Sequence, residues 1–383
     1  MISRLISEKL LDMASKFPVL AITGPRQSGK TTLCKKIFFS YRYVTLENPD
    51  IRQFAKTDPK GFLEEYNDRV IIDEAQHVPE LFSYIQGVVD EKNQTGQYIL
   101  TGSQNFLLLE NISQTLAGRI YIYHLLPFSD SEIQQKYSVD LLSNIFKGGY
   151  PRIYDQNIDP ADFFPSYVQT YVERDVRNML NIKDLSLFST FLKLCAGRIG
   201  QLFNSSSIAN ELGVDYKTVR SWLSLLEASF VVYRLQPWHT NFNKRVIKSP
   251  KLYFYDTGLA CYLLGLKSKE EINVHFAKGA LFENYIMTEY IKNTWNKGEA
   301  LSFYFWRDSA GNEVDLLIEE GQRLKIAEVK SSKTIKQDFF KALTYFEKLA
   351  QKYTVEKYVI YGGNESRKQF NTSILSWDKI GMI

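Results

Sequence analysis

Cysteine is scarce: the 383 residues include three, Cys34, Cys195 and Cys261. They lie far apart and fit no zinc-ligand spacing, and their odd number argues against a disulfide framework. A reducing, cytoplasmic setting is the expectation. Long hydrophobic runs are also missing. No stretch approaches the roughly 18 apolar residues that a membrane-crossing helix needs, so no membrane partner is expected. The opening MISRLISEKLLDMASKFPVL reads as an amphipathic helix followed by a strand, without the apolar centre of a secretion signal. Charge of one sign is nearly absent in excess, at net +4, which permits a nucleic-acid partner without arguing for one. Internal repeats and low-complexity tracts are absent too.

What is present is the material of cores. Apolar residues make up 44% and charged residues 23%, as in globular proteins. The length exceeds one comfortable core, so two or three domains are expected. Residues 1–150 alternate short apolar strands with helical stretches, the pattern of an α/β domain with a mainly parallel sheet. The strands are VLAITG (19–24), YRYVTL (41–46), RVIID (69–73), QYILTG (97–102) and IYIYHL (120–125). KGGYPRI (147–153) breaks the pattern, and residues 151–270 are mostly helical. From 271 to 383 the order is helix, three strands, helix, strand.

The strongest signal is GPRQSGKTT, residues 24–32, between an apolar strand and a helix. It fits G-x-x-x-x-G-K-[ST]. The nucleotide-binding set is Gly24, Pro25, Arg26, Gln27, Ser28, Gly29, Lys30, Thr31 and Thr32. Glycines let backbone N–H groups close around phosphate, and the helix N-terminus adds partial positive charge. Lys30 reaches the β and γ phosphates of ATP, and Thr31 offers its hydroxyl to Mg2+. RVIIDEAQ then places Asp73 to hold the magnesium and Glu74 to polarise the attacking water. YILTGSQ ends its strand in Thr101, Ser103 and Gln104, where a γ-phosphate sensor belongs or where a strand-end turn is merely satisfied. Arg119, in LAGR, is a candidate to stabilise transition-state charge in its own subunit or a neighbouring one, which would imply a homo-oligomer; a structural arginine is the other reading.

GPRQSGKT, IIDEAQ, LTGSQ and LAGR, with the later GGYP and YVERDV, resemble a prokaryotic family of AAA-type P-loop ATPases fused to a C-terminal domain of unknown function. The resemblance covers nearly the whole chain and implies ATP use but no substrate. YVERDV, with Glu173, Arg174 and Asp175, is a hallmark of that family with no evident physical reason.

Residues 205–238 follow the order of a winged helix: Ile208 and Leu212, a turn at Gly213, then Val219, Leu223 and Leu226. The second helix offers chiefly Lys217 and Arg220, few for a DNA reader. Packing or partner docking is the competing role.

The last constellation lies in GNEVDLLIEEGQRLKIAEVKS, residues 311–331. A hairpin about Gly321-Gln322 sets Asp315 opposite Glu328 and Glu313 opposite Lys330. Val314, Leu316, Ala327 and Val329 line the other face. Opposed carboxylates destabilise a sheet, which a shared divalent metal would relieve, with Lys330 activating a water. This D…E-x-K arrangement resembles the PD-(D/E)XK nucleases, and Glu283 matches their first-helix glutamate. The metal set is then Glu283, Asp315 and Glu328; the plain alternative is a salt-bridged sheet face.

The expected fold is α/β throughout. A P-loop AAA-type ATPase domain spans 1–150, a helical, winged-helix-like domain 151–270, and a restriction-endonuclease-like α/β domain 271–383. Two functions compete: an ATPase coupled to a nuclease-like domain acting on nucleic acid, and an ATP-dependent switch or assembly protein whose C-terminal domain binds a partner without cleavage. A small-molecule kinase is disfavoured, because Asp73-Glu74 suits water attack.

Overall fold

The computed structural model describes residues 2–103, 115–172, 184–238 and 247–383. Gln104 and the triplet Glu173, Arg174 and Asp175 lie outside the described residues.

Five strands, β1 Val19–Thr23, β2 Arg42–Thr45, β3 Val70–Asp73, β4 Tyr98–Gly102 and β5 Ile120–His124, form a parallel sheet in the order β2-β3-β4-β1-β5. β1, β3 and β4 are buried along their whole length, which explains their unbroken apolar runs: a parallel sheet is covered on both faces. Alternation divides the strands between two cores. Val19, Ala21, Val70 and Ile72 pack with Phe62 and Phe82. Leu20, Ile22 and Ile71 pack with Leu10 of α1 (Ser7–Ala14) and Leu33 of α2 (Lys30–Ile37). Because all five strands run the same way, every C-terminal end reaches one edge of the sheet.

The middle of the chain is built from capped helices. Asp184, Asn204 and Asp215 each accept backbone N–H groups at the start of Leu185–Ala196, Ser205–Leu212 and Tyr216–Ala228. Gly213, at φ 67°, turns the second of these helices into the third. A two-stranded antiparallel sheet follows, β6 Val232–Leu235 with β7 Lys251–Phe254.

The C-terminal part is a six-stranded mixed sheet in the order β12-β13-β11-β10-β9-β8. Its strands are β8 Phe303–Arg307, β9 Glu313–Glu320, β10 Arg323–Lys330, β11 Thr354–Tyr361, β12 Arg367–Gln369 and β13 Thr372–Ser376. The long helix Lys278–Asn296 covers one face. Its Leu281, Phe282, Tyr285 and Ile286 share a core with Leu316, Ala327 and Val329 of the sheet and with Phe188, Val219 and Phe254 of the middle segment. The helix Lys341–Leu349 covers the other face through Leu343 and Phe346. No helix among the described residues is long and apolar enough to cross a membrane. All three cysteines are buried and free.

Candidate functional site

β1 ends at Thr23, and the chain turns directly into the phosphate loop. Gly24 sits at φ 145°, and a Cβ there would lie 2.2 Å from the Leu125 carbonyl oxygen. Only glycine allows this approach to the strand leaving β5. Gly29, at φ 92°, caps α2. Lys30 is 6% exposed. Its Nζ donates to the carbonyls of Gly24 (2.9 Å) and Pro25 (2.8 Å), so the loop wraps its own lysine. Burial lowers the Lys30 pKa to about 8, against the opposing pull of Glu74 and Asp73.

Asp73 ends β3 beside α2. Thr31 Oγ1 donates to its two carboxylate oxygens at 3.2 and 3.1 Å, Tyr43 donates from β2 at 2.8 Å, and Thr101 donates from β4. Glu74 follows at φ 54°, left-handed for a residue with a Cβ. Ser103 Oγ donates to Glu74 Oε2 at 3.0 Å, and Gln76 donates to the same oxygen. Strained backbone of this kind persists where the surrounding structure holds it, often at working sites.

The arrangement fits a nucleotide with its magnesium. Among the described residues, Ser28 Oγ and Gln27 Oε1 of the loop are buried without a hydrogen-bond partner, and Lys30 Nζ donates to carbonyls alone. A phosphate would supply the missing acceptor for Ser28 and an anion for Lys30. A cavity of about 60 Å³ continues from the loop, lined by Ser28, Gly29 and Thr32, with Arg4, Phe128 and Pro151 opposite. Arg4, Phe128, Pro151 and Tyr43 escaped the sequence reading, because nothing local connects them to the loop.

The own-subunit reading of Arg119 is corrected. It immediately precedes β5, and Val19 N–H at the start of β1 donates to its carbonyl at 3.2 Å. That is the sheet edge opposite the phosphate loop, so Arg119 cannot serve its own subunit's nucleotide. Its guanidinium is held by Asp90, with Nη2 2.9 Å from Oδ2.

The C-terminal carboxylates gather where β7, the 278–296 helix and the β9–β10 hairpin meet. The ladder runs in the expected register, from Glu320 opposite Arg323 to Leu316 opposite Ala327. Beyond that point the Asp315 side chain takes over, accepting Val329 N–H at 2.8 Å. Lys330 Nζ lies 3.3 Å from Asp315 Oδ2 and 2.6 Å from Glu328 Oε1. Burial, and then Asp315, raise the Glu328 pKa.

Two further expectations are corrected here. Val314 packs with Trp306 and Phe346, apart from Leu316, Ala327 and Val329. Glu313 pairs with Arg307 (3.1 Å) and Lys251, not with Lys330. Glu283 does approach this region, but its Oε1 is taken by Lys251 at 3.0 Å and by the Tyr253 hydroxyl. Among the described residues no three His, Cys, Asp or Glu side chains form a group that could hold a metal ion. The donor set does not fit a divalent ion as it stands. Lys251 and Tyr253, both on β7, gave no sequence signal: they sit in an ordinary strand, KLYF, and only tertiary folding brings them to the acids.

With both sites described, comparison with known proteins assigns the parts. Residues 16–134 match a family model described as an AAA domain. Residues 139–270 and 278–380 match two domains of unknown function, DUF8612 and DUF4143. An uncharacterized protein of Mycobacterium tuberculosis is 31% identical over 323 residues, covering 83% of this chain and 71% of its own length. An uncharacterized protein of Mycobacterium bovis matches to the same extent. The chain belongs to the family of these proteins. An uncharacterized Haemophilus influenzae protein is similar at 22% identity over 287 residues, 67% of this chain and 71% of that one. Among solved structures, a Walker-type ATPase of Pyrococcus abyssi superposes with a TM-score of 0.47 at 15% identity, covering 67% of this chain and 94% of that one. The AMPPCP-bound DnaA of Aquifex aeolicus gives a TM-score of 0.31 at 16% identity, over 58% of this chain and 86% of that one. In this family member the phosphate loop, Asp73 and Glu74 fall inside the AAA domain. The C-terminal cluster draws on both other domains: Lys251 lies in the DUF8612 match, and Glu283, Asp315, Glu328 and Lys330 lie in the DUF4143 match.

Proposed function

We propose that this chain is a magnesium-dependent ATPase that acts on nucleic acid through its nuclease-like C-terminal domain. The observation that carries the ATPase reading is the phosphate loop at the end of β1, with Asp73 and Glu74 beside it at the end of β3 on the same sheet edge. Lys30 trades its two loop carbonyls for the β and γ phosphates. Thr31 and Asp73, already hydrogen-bonded, would be the residues to hold the magnesium. The ion, when bound, neutralises charge on the transferred phosphoryl group. Glu74 orients and polarises the attacking water, with Ser103 fixing its carboxylate. Arg119 lies away from its own subunit's phosphate loop; a role across a subunit interface and a structural ion pair with Asp90 are the remaining readings.

The helix pair Ser205–Leu212 and Tyr216–Ala228, followed by the β6–β7 pair, supports a winged-helix-like middle unit. Asp315, Glu328 and Lys330 together support the nuclease-like reading. A second reading is favoured by Lys251, which occupies Glu283: an ATP-dependent switch whose C-terminal domain binds a partner without cleaving it. The test measures ATP turnover and plasmid integrity in magnesium, for wild type and Asp315→Ala. Cleavage lost in Asp315→Ala supports the nuclease reading. Turnover raised by DNA, with the plasmid intact, supports the second. No ATP turnover under any condition sinks both.

A further inference from the structure

Four carboxylates, Glu283, Glu313, Asp315 and Glu328, converge on three cations, Lys251, Arg307 and Lys330. We infer that Lys251 is a resident cation of this site, bonded to Glu283 and Glu313 beside the Asp315–Glu328 pair at which the D…E-x-K pattern leads one to expect a divalent metal. This inference rests on the second, non-cleaving reading of the C-terminal domain and is independent of the ATP site.

The geometry carries it. Lys251 is 2% exposed, and it reaches the acids from a different domain. Its Nζ binds Glu283 and Glu313 together, so it bridges the 278–296 helix and β9. Lys330 does the same for Asp315 and Glu328. Every carboxylate in the cluster therefore has a lysine within ion-pair distance. Ionised carboxylates are not buried without such compensation. A metal is one solution and two lysines are another.

One oxygen of each of three acids is already committed. Glu283 Oε1 accepts from Lys251 and Tyr253, Asp315 Oδ2 from Lys330 and Val329 N–H, and Glu328 Oε1 is paired with Lys330. Magnesium takes one or two carboxylates and keeps several waters, and here a lysine already stands against each of the four acids. The Glu328 Oε2 atom is buried with no hydrogen-bond partner among the described residues. It offers a single acceptor, suited to one N–H or O–H donor, a water or a group of the partner.

Nor is Lys251 placed to swing away. Leu252, its neighbour, is bonded through both N–H and C=O, to Gln201 O at 3.1 Å and Gly200 N at 2.8 Å. Phe254 N–H and C=O are both held by the Asn284 side chain, at 2.7 and 2.8 Å. β7 is thus pinned to the helix that carries Glu283. Lys251 is part of the wall of the site and not a gate across it.

The test is a Mn2+ titration of the full chain without nucleotide, followed by the electron paramagnetic resonance of the free ion. Wild type and Asp315→Asn should give coincident isotherms. Lys251→Gln should gain a site at least about tenfold tighter, because a unit positive charge beside the ion has been removed. Adding Asp315→Asn to Lys251→Gln should abolish the gain. A wild-type Mn2+ site that Asp315→Asn removes overturns the inference, as does a folded Lys251→Gln that gains nothing. Should Lys251→Gln fail to fold, the wild-type and Asp315→Asn isotherms decide alone. A metal site without plasmid cleavage would remove this inference and leave the non-cleaving reading standing.

Discussion

Lys30 is held by the loop that it is meant to help a ligand enter. Its burial sets a pH dependence whose sign can be worked out. Below about pH 8 the lysine is charged both folded and unfolded, and the desolvation penalty is fully present. Between about 8 and its ordinary 10.5 the folded lysine is neutral and the unfolded one charged, so nucleotide-free stability rises with pH across that window. Phosphate reverses the shift. ATP binding above pH 8 should therefore take up a proton, and affinity should fall by up to about tenfold per pH unit. Calorimetry at pH 8.5 in buffers of different ionisation enthalpy reads the proton directly; wild type should show uptake and Lys30→Ala none. Lys30→Ala itself should weaken ATP binding by roughly a hundredfold, from loss of charge-assisted bonds worth about 1.5–3 kcal/mol each. Lys30, Thr31, Asp73 and Glu74 were legible in the sequence because a phosphate cradle needs contiguous residues at a strand end. Lys251 and Arg4 were not, because each reaches its site only through the tertiary fold.

At the scale of elements, the β9–β10 hairpin was legible through its turn. Gly321 takes φ 65° in the two-residue loop, and the residue alternation fixed the register on either side. The pattern failed at the open end. There the Asp315 side chain replaces a backbone partner, a substitution that period-two reasoning has no means to anticipate. The edge strand β12 and its neighbour β13 were missed because both are short and β12 follows a Gly-Gly loop. No atom of the described residues lies within 4 Å of a Cβ built on Gly321, so its substitution tests backbone preference alone. Gly321→Ala should destabilise the protein by about 1 kcal/mol, and Gly321→Asn by less, since asparagine tolerates the left-handed region. Chemical denaturation of both variants measures this. Equal losses would mean that the turn does not depend on that conformation.

At the scale of the whole molecule, three matched domains do not make three independent cores. The 278–296 helix buries Leu281, Phe282, Tyr285 and Ile286 in the core of the middle segment. Lys292 donates to Phe128 O at 2.9 Å, and Asp130 N–H donates to Glu289 at 2.7 Å. The helix that carries Glu283 thus also grips the segment whose Phe128 lines the cavity beside the phosphate loop. Residues 271–383 alone should lack a cooperative melting transition, whereas residues 135–383 should keep one; calorimetry of the two fragments decides, and cooperative melting of the shorter fragment would contradict the shared core. The account depends most on Glu74 at the end of β3, and its most direct measurement is paired ATP binding and phosphate release by Glu74→Gln. The prediction is wild-type affinity for ATP with hydrolysis reduced roughly a hundredfold to ten-thousandfold, the range of a lost general base. Hydrolysis at the wild-type rate by Glu74→Gln would contradict the account.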